Sequence, residues 1–169
     1  SAGAESVKTA VFSKHHPETV RFFLLATHYR SPIDFGDERI EEVDRSLEGF
    51  YRLIETFQRI TGQDFYSLST SATREKACRL EGEPSSFLSE VKALRDRYYE
   101  CMDDDFNTGG AVGVLFDLRK TINGFVNEAK LDGAGKSDGQ NMAAFVSAAT
   151  VLKELAGILG VFRQPIQSG

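Results

Sequence analysis

The sequence is poor in the residues that would explain it most easily. Among its 169 residues there are two cysteines, Cys78 and Cys101. Two thiols so far apart make neither a disulfide framework nor a zinc-ligand cluster, and they fit a reducing cytoplasm. No apolar run approaches the ~18 residues of a membrane span. Ser1 to Lys14 has no continuous apolar stretch of the kind a signal peptide carries. Histidine is scarce, and His15, His16 and His28 all precede the long periodic segments. Bundles that hold two metal ions place Glu-x-x-His on inward faces. Here Phe12, Ser13 and Leu25 stand three residues before the histidines, so that pattern is missing and no metal site is expected. The same shortage leaves a serine, cysteine or carboxylate nucleophile without a histidine base. Positive charge is also short, with 20 Lys and Arg against 25 Asp and Glu, a net charge of −5. A dedicated nucleic-acid module shows a basic footprint, so only a local basic face could serve one here.

What is present is helical periodicity in a chain long enough for one domain with a small appendage. The four prolines fall between periodic segments. Pro17 suits the first position of a helix, where its missing N–H costs nothing. Thr19 to His28 then reads as an apolar helix buried on more than one side. Ser31-Pro32 breaks it, and Ile33 and Phe35 alternate as in a short strand. From Asp37 to Thr61, residues Ile40, Val43, Leu47, Phe50, Ile54 and Phe57 follow spacings of three and four, the seam of a long packed helix. Asp37 suits its N-cap and Gly62 its stop. Gln63 to Glu83 reads as a long mobile connection, with a helical turn around Thr73 to Leu80. A helix from Pro84 or Ser85 turns Phe87, Leu88, Val91, Leu94, Tyr98, Cys101 and Met102 inward. A further helix, from about Gly109 to Lys130, buries Val114, Leu115, Leu118, Ile122, Phe125 and Val126. Asp132 to Gly139 reads as a flexible glycine-rich loop. A last helix, from about Asn141 to Leu159, uses Met142, Phe145, Val146, Ala149, Leu152, Leu155 and Ile158, and the tail from Gly160 to Gly169 is expected to fray. The fold class that follows is all-α, an antiparallel bundle of about four long helices after a short helical connecting unit.

Three polar groupings invite a functional reading. Arg45, Arg52 and Arg59 lie seven residues apart on one outward face. Glu41, Glu48 and Glu55 each stand four residues before one of them, the favourable pairing order, which favours a solvated, salt-bridged face. Lys120, Asn123, Asn127 and Lys130 share a stripe on the next-to-last helix, with Arg119 beside it. Only Asp117 and Glu128 compete there, and lysines and amides are suitable donors to phosphate oxygens. The run Asp103-Asp104-Asp105 could attract Mg²⁺, but adjacent acids seldom converge on one ion. Just before a helix N-terminus they suit the macrodipole instead, with Asn107 or Thr108 as the cap.

Three stretches carry a resemblance. Pro17-Glu18-Thr19-Val20-Arg21-Phe22-Phe23-Leu24-Leu25 runs into Thr27-His28-Tyr29-Arg30-Ser31-Pro32, and Met102-Asp103-Asp104-Asp105-Phe106-Asn107-Thr108 follows further on. Together they resemble the C-terminal helical part of the cysteine–tRNA ligases, with its DALR-type helical domain. The resemblance covers nearly the whole chain and is weakest in Gln63 to Glu83 and after Asp132. Gly109 departs from it, standing where the family usually has proline, and Ala4 to Lys8 are more polar than the family's stretch. Counting back from Pro17, Ser1 falls on the last serine of the family's Lys-Met-Ser-Lys-Ser loop. The resemblance therefore implies that this loop, which serves ATP with its Mg²⁺, lies upstream with the zinc site that selects cysteine. In the whole enzyme the cysteine carboxylate would attack ATP, and the aminoacyl group would then pass to the terminal adenosine of tRNA. No residue here is expected to perform either step, and no cofactor is expected to bind these residues.

Residues 1–36 would be a connecting unit that meets the tRNA stem, with Arg30 a candidate contact. Residues 37–169 would be the bundle along the anticodon arm, with Arg119, Lys120, Asn123, Asn127 and Lys130 as candidates. The implied partners are tRNA(Cys) and the enzyme's own catalytic domain, with no membrane. Two alternatives are a related ligase of the mycothiol pathway, which joins cysteine to an amino sugar, and a bundle that only props the catalytic domain.

Overall fold

The computed structural model describes residues 17–26, 37–70, 85–104 and 107–162. The expected strand at Ile33 and Phe35, the turn near Thr73 to Leu80, Cys78, Ser1, Arg30, Asp105 and Phe106 lie outside them. The described elements are five α-helices: α1 (Pro17–Ala26), α2 (Asp37–Thr61), α3 (Ser85–Asp103), α4 (Thr108–Glu128) and α5 (Gly139–Ile158). Two 3-10 turns join them, Phe65–Ser67 and Ala134–Ser137. No strand occurs among the described residues, and the fold is all-α.

Pairings between side chains give the directions of the helices. Phe87 stacks on Phe125 at 4.0 Å, Thr121 donates to Glu90 at 3.0 Å, and Arg97 pairs with Asp117. As one number rises the other falls, so α3 and α4 are antiparallel. Arg119 donates to the Ser46 carbonyl and Arg59 reaches Asp132, so α2 and α4 run the same way. Phe57 meets Phe145 and Phe50 meets Phe162, which sets α5 against α2. The four long helices therefore alternate in direction along the chain.

The inward seam of α2 is Leu47, Phe50, Ile54 and Phe57, joined by Leu53 and Ile60. Phe87, Leu88, Val91, Leu94 and Tyr98 of α3 are buried, while Cys101 and Met102 are half-buried. All six positions expected inward on α4 are buried, together with Ala111 and Val112. α5 departs from the simple stripe. Residues Ala144, Phe145, Ala148, Ala149, Val151, Leu152, Glu154, Leu155 and Ala156 are buried, and they encircle most of the helix. Its alanines let neighbouring helices approach closely, which makes α5 the spine of the bundle. Ile158, expected inward, is 44% exposed. Leu159 takes the inward place one residue later, where the helix ends.

Helix ends account for further differences. Asn107 is the cap of α4, with its side-chain oxygen accepting from Gly110 N at 3.0 Å. Gly62 takes φ +70° and donates to Gln58 O, closing α2 where a side chain would be strained. The expected mobile connection begins as packed structure, because Phe65 is buried against Phe57 and Lys153 donates to the carbonyls of Tyr66 and Leu68. The expected frayed tail is likewise corrected at its start. After Gly160, at φ +77°, Val161 and Phe162 are fully buried. The Phe162 ring joins Phe22, Phe50 and Tyr51, so apolar burial holds residues that sequence position alone would release. The same ring cluster seats α1, since Phe22 packs edge-on against Phe50 and Phe116. Arg21 donates to Gly160 O at 3.3 Å, tying α1 to the end of α5.

Candidate nucleic-acid interface

Helical spacing puts Lys120, Asn123 and Asn127 on one face of α4, over about 10 Å of helix. All three are exposed, as is Lys130 just past the helix end. Among the described residues none of these four side chains has a hydrogen-bond or ion-pair partner. The stripe therefore presents two cations and two amides to solvent.

Arg119 does not join them. Its guanidinium turns back onto α2, donating to Ser46 O at 2.7 Å and lying 5.0 Å from the Phe50 ring and 5.6 Å from Phe116. Burial lowers its pKa from the usual arginine value, though a guanidinium stays charged in proteins. A Cβ on Gly49 would overlap this group, so the glycine leaves room for it.

Several other described cations are also engaged by partners. Arg52 meets Glu48 at 3.5 Å, one of the three expected pairs on α2. Arg59 instead leaves its helix and meets Asp132 at 2.8 Å. Arg45 forms no ion pair among the described residues. Arg95 is buried with Glu154, Arg97 holds Asp117, and Lys153 holds the turn after α2. Exposed and without a partner among the described residues, by contrast, are Arg45, Lys92, Lys120, Lys130 and Lys136. Arg45 sits among Glu41, Glu42 and Glu48, and Lys92 among Glu90 and Asp96, so their surroundings are acidic. That leaves Lys120 and Lys130, on the α4 side, beside two neutral amides.

Two details refine the stripe. Lys120 lines a groove of about 550 Å³ between α3 and α4, with Glu90, Asp117 and Glu128 in the same walls. Asp117 is taken by Arg97, but Glu90 comes from α3, and the spacing within α4 gave no sign of it. Lys130 has φ +53°, the left-handed conformation where glycine is usual. Leu131 N donates to Val126 O and Lys130 N to Asn127 O, the paired bonds of a helix end that turns through such a residue. A lysine there costs about 1–2 kcal/mol of backbone strain relative to glycine.

The acids expected near the α4 cap behave as surface groups. Asp103 and Asp104 are exposed, and Thr108 starts the helix behind Asn107. Among the described residues no three His, Cys, Asp or Glu side chains come together as metal ligands do. No chemical step is derived through the zinc and ATP that the resemblance implies for the whole enzyme. No described helix is long and apolar enough to cross a membrane.

Comparison with known proteins decides the family. The DALR domain matches residues 97–163, from the middle of α3 to just past Phe162. A cysteine–tRNA ligase of Syntrophobacter fumaroxidans is 35% identical over 156 residues, covering 92% of this chain and 30% of the relative. One from Trichlorobacter lovleyi is 34% identical over 147 residues, covering 87% and 27%. One from Pseudomonas aeruginosa is 32% identical over 153 residues, covering 90% and 25%. The chain belongs to the cysteine–tRNA ligase family and carries a DALR domain. It spans less than a third of the length of these relatives. Within the family, the matched domain contains the whole α4 stripe, the Asn107 cap and the Phe162 anchor.

Proposed function

We propose that this chain is the tRNA-binding helical part of a cytoplasmic cysteine–tRNA ligase, and that the exposed stripe of α4 contacts the tRNA backbone. The ligase reading also brings activation of cysteine with ATP and transfer to tRNA(Cys), carried out by a catalytic domain outside these residues. Residues 1–36 would then connect that domain to the bundle, with Arg30 near the tRNA stem. The observation that carries the binding proposal is the contrast between cations. Arg119 and most of the other described arginines are engaged by a carboxylate or a carbonyl, whereas Lys120 and Lys130, exposed beside two asparagines, have no partner among the described residues. Phosphate contacts need donors that are free to reach oxygen, and they are independent of sequence.

The test is a salt titration of tRNA binding in the intact protein that carries this segment. Changing Lys120 and Lys130 together to glutamine is expected to flatten the dependence of log K on log salt by roughly two, one for each phosphate contact. An unchanged slope would favour a bundle that only props the catalytic domain. If the wild-type protein has no tRNA affinity yet joins cysteine to an amino sugar, the mycothiol-pathway reading takes its place.

A further inference from the structure

Lys136 gave no signal in the sequence, because it lies among glycines that read as a flexible loop. The structure holds it beside Lys130. The Lys130 carbonyl accepts the N–H groups of Gly133 at 3.0 Å and Gly135 at 2.9 Å, which folds the chain back at once. A side chain on Gly135 would overlap the Ala129 carbonyl, so the fold-back depends on that glycine. Lys136 follows directly, exposed, in the 3-10 turn Ala134–Ser137.

Two acids of this corner are engaged. Asp132 holds Arg59 at 2.8 Å. Asp138 accepts from Gln140 N at 3.0 Å and Asn141 N at 3.1 Å, capping α5 and meeting the positive end of its dipole. The remaining neighbour, Glu128, lines the groove against α3. With Arg59 and Asp132 paired and Asp138 used as a cap, Lys130 and Lys136 are left with Glu128 as the one acid of the corner not engaged among the described residues.

We propose that Lys130 and Lys136 form a two-cation contact for the phosphate backbone of an RNA, at the corner where α4 turns into α5. The inference rests on the tRNA-binding reading and deepens it by adding a residue and placing the path of the RNA over this end of the bundle. It also gives a reason for Lys130 to occupy a strained position where glycine is easier, since the charge is wanted there. The amides of Asn123 and Asn127 continue the same path along α4.

The experiment measures tRNA binding across a salt series in the intact protein that carries this segment. Lys136→Gln is expected to reduce the salt slope by about one, and Lys136→Arg to keep it. Asp132→Asn is expected to tighten binding, because it removes an acid and frees Arg59; a corner with only a structural role gains nothing from that change. Lys92→Gln, on the acidic outer face of α3, is the control and should leave the slope alone. If the Lys120 and Lys130 pair flattens the slope while Lys136→Gln and Asp132→Asn do nothing, the corner is overturned and the binding face stands. If none of these variants changes tRNA binding, both readings fall together. An unchanged melting temperature for Lys136→Gln, expected for an exposed side chain without a partner, keeps the result from reflecting misfolding.

Discussion

Arg95 Nε lies 2.9 Å from Glu154 Oε2, with the two side chains only 7% and 4% exposed. The pair joins α3 to α5 in the middle of the bundle. Tyr99 adds a 2.6 Å hydrogen bond to the same carboxylate oxygen, and its ring lies 5.0 Å from the Arg95 guanidinium. Removing one partner leaves the other charged and buried, so Glu154→Leu alone is expected to cost about 3–5 kcal/mol in denaturant unfolding. Arg95→Met together with Glu154→Leu should recover most of that loss. A double variant as unstable as the single one would mean that the pair itself, and not the orphaned charge, supplies the stability.

Arg119 separates structural from binding roles. Arg119→Gln loses the bond to Ser46 O and the packing on Phe50 and Phe116, at a cost of about 1–3 kcal/mol. Its tRNA salt slope should match that of the wild type. A slope that flattens without loss of stability would return Arg119 to the binding face.

Lys130→Gly is expected to move stability and affinity in opposite directions. Relief of the left-handed strain at φ +53° should stabilise the chain by about 1 kcal/mol. Loss of the charge should weaken tRNA binding. Equal or tighter binding by this variant would show that the lysine has no electrostatic task.

The Asn107 cap can be tested without touching any charge. Asn107→Ala is expected to cost about 1 kcal/mol with an unchanged m-value. Thr108→Ala, one position inside the helix, should cost less. Reversed magnitudes would move the start of α4 by a residue.

Tyr98 gives the fold a pH dependence of known sign. Burial, followed by the nearby Tyr99 and Glu154, pushes its phenol above the ordinary value of 10.0, and its O–H donates to Leu155 O at 2.8 Å. Above pH 10 the unfolded chain gives up this proton while the folded chain keeps it. The folded state then binds more protons, so stability falls as pH rises through that range. Tyr98→Phe should lose stability at neutral pH and show a shallower decline above pH 10, checked by urea unfolding at several pH values. A decline as steep as the wild type's would assign it to other groups.

Much of the fold was legible because amphipathic helices write their inward faces at spacings of three and four. Leu47, Phe50, Ile54 and Phe57 are a direct example, and the start of α3 at Ser85 follows from the same pattern. α5 was harder, since burial on most sides erases the contrast that a stripe depends on. Ile158 was misplaced for that reason. The ends were hardest, because whether Phe162 frays or packs depends on Phe22 and Phe50, which lie more than a hundred residues away. At the candidate site, exposure was legible from polarity, but the destination of a long side chain was not. Arg119 and Lys120 are neighbours of similar chemistry, and only the position of α2 sends one inward. Arg59 likewise had a glutamate one turn before it and chose an aspartate from another element.

The central position of α5 also bears on how the chain is made. Synthesis delivers α2, α3 and α4 before α5, so α3 and α4 can pair with one another while the faces they turn to α5 wait for it. The ring cluster under α1 closes only when Phe162 emerges, more than a hundred residues after Phe22. The bundle therefore has no finished N-terminal half that could fold ahead of the rest. Until α5 arrives, the apolar faces that it covers in the finished bundle have no partner within this segment.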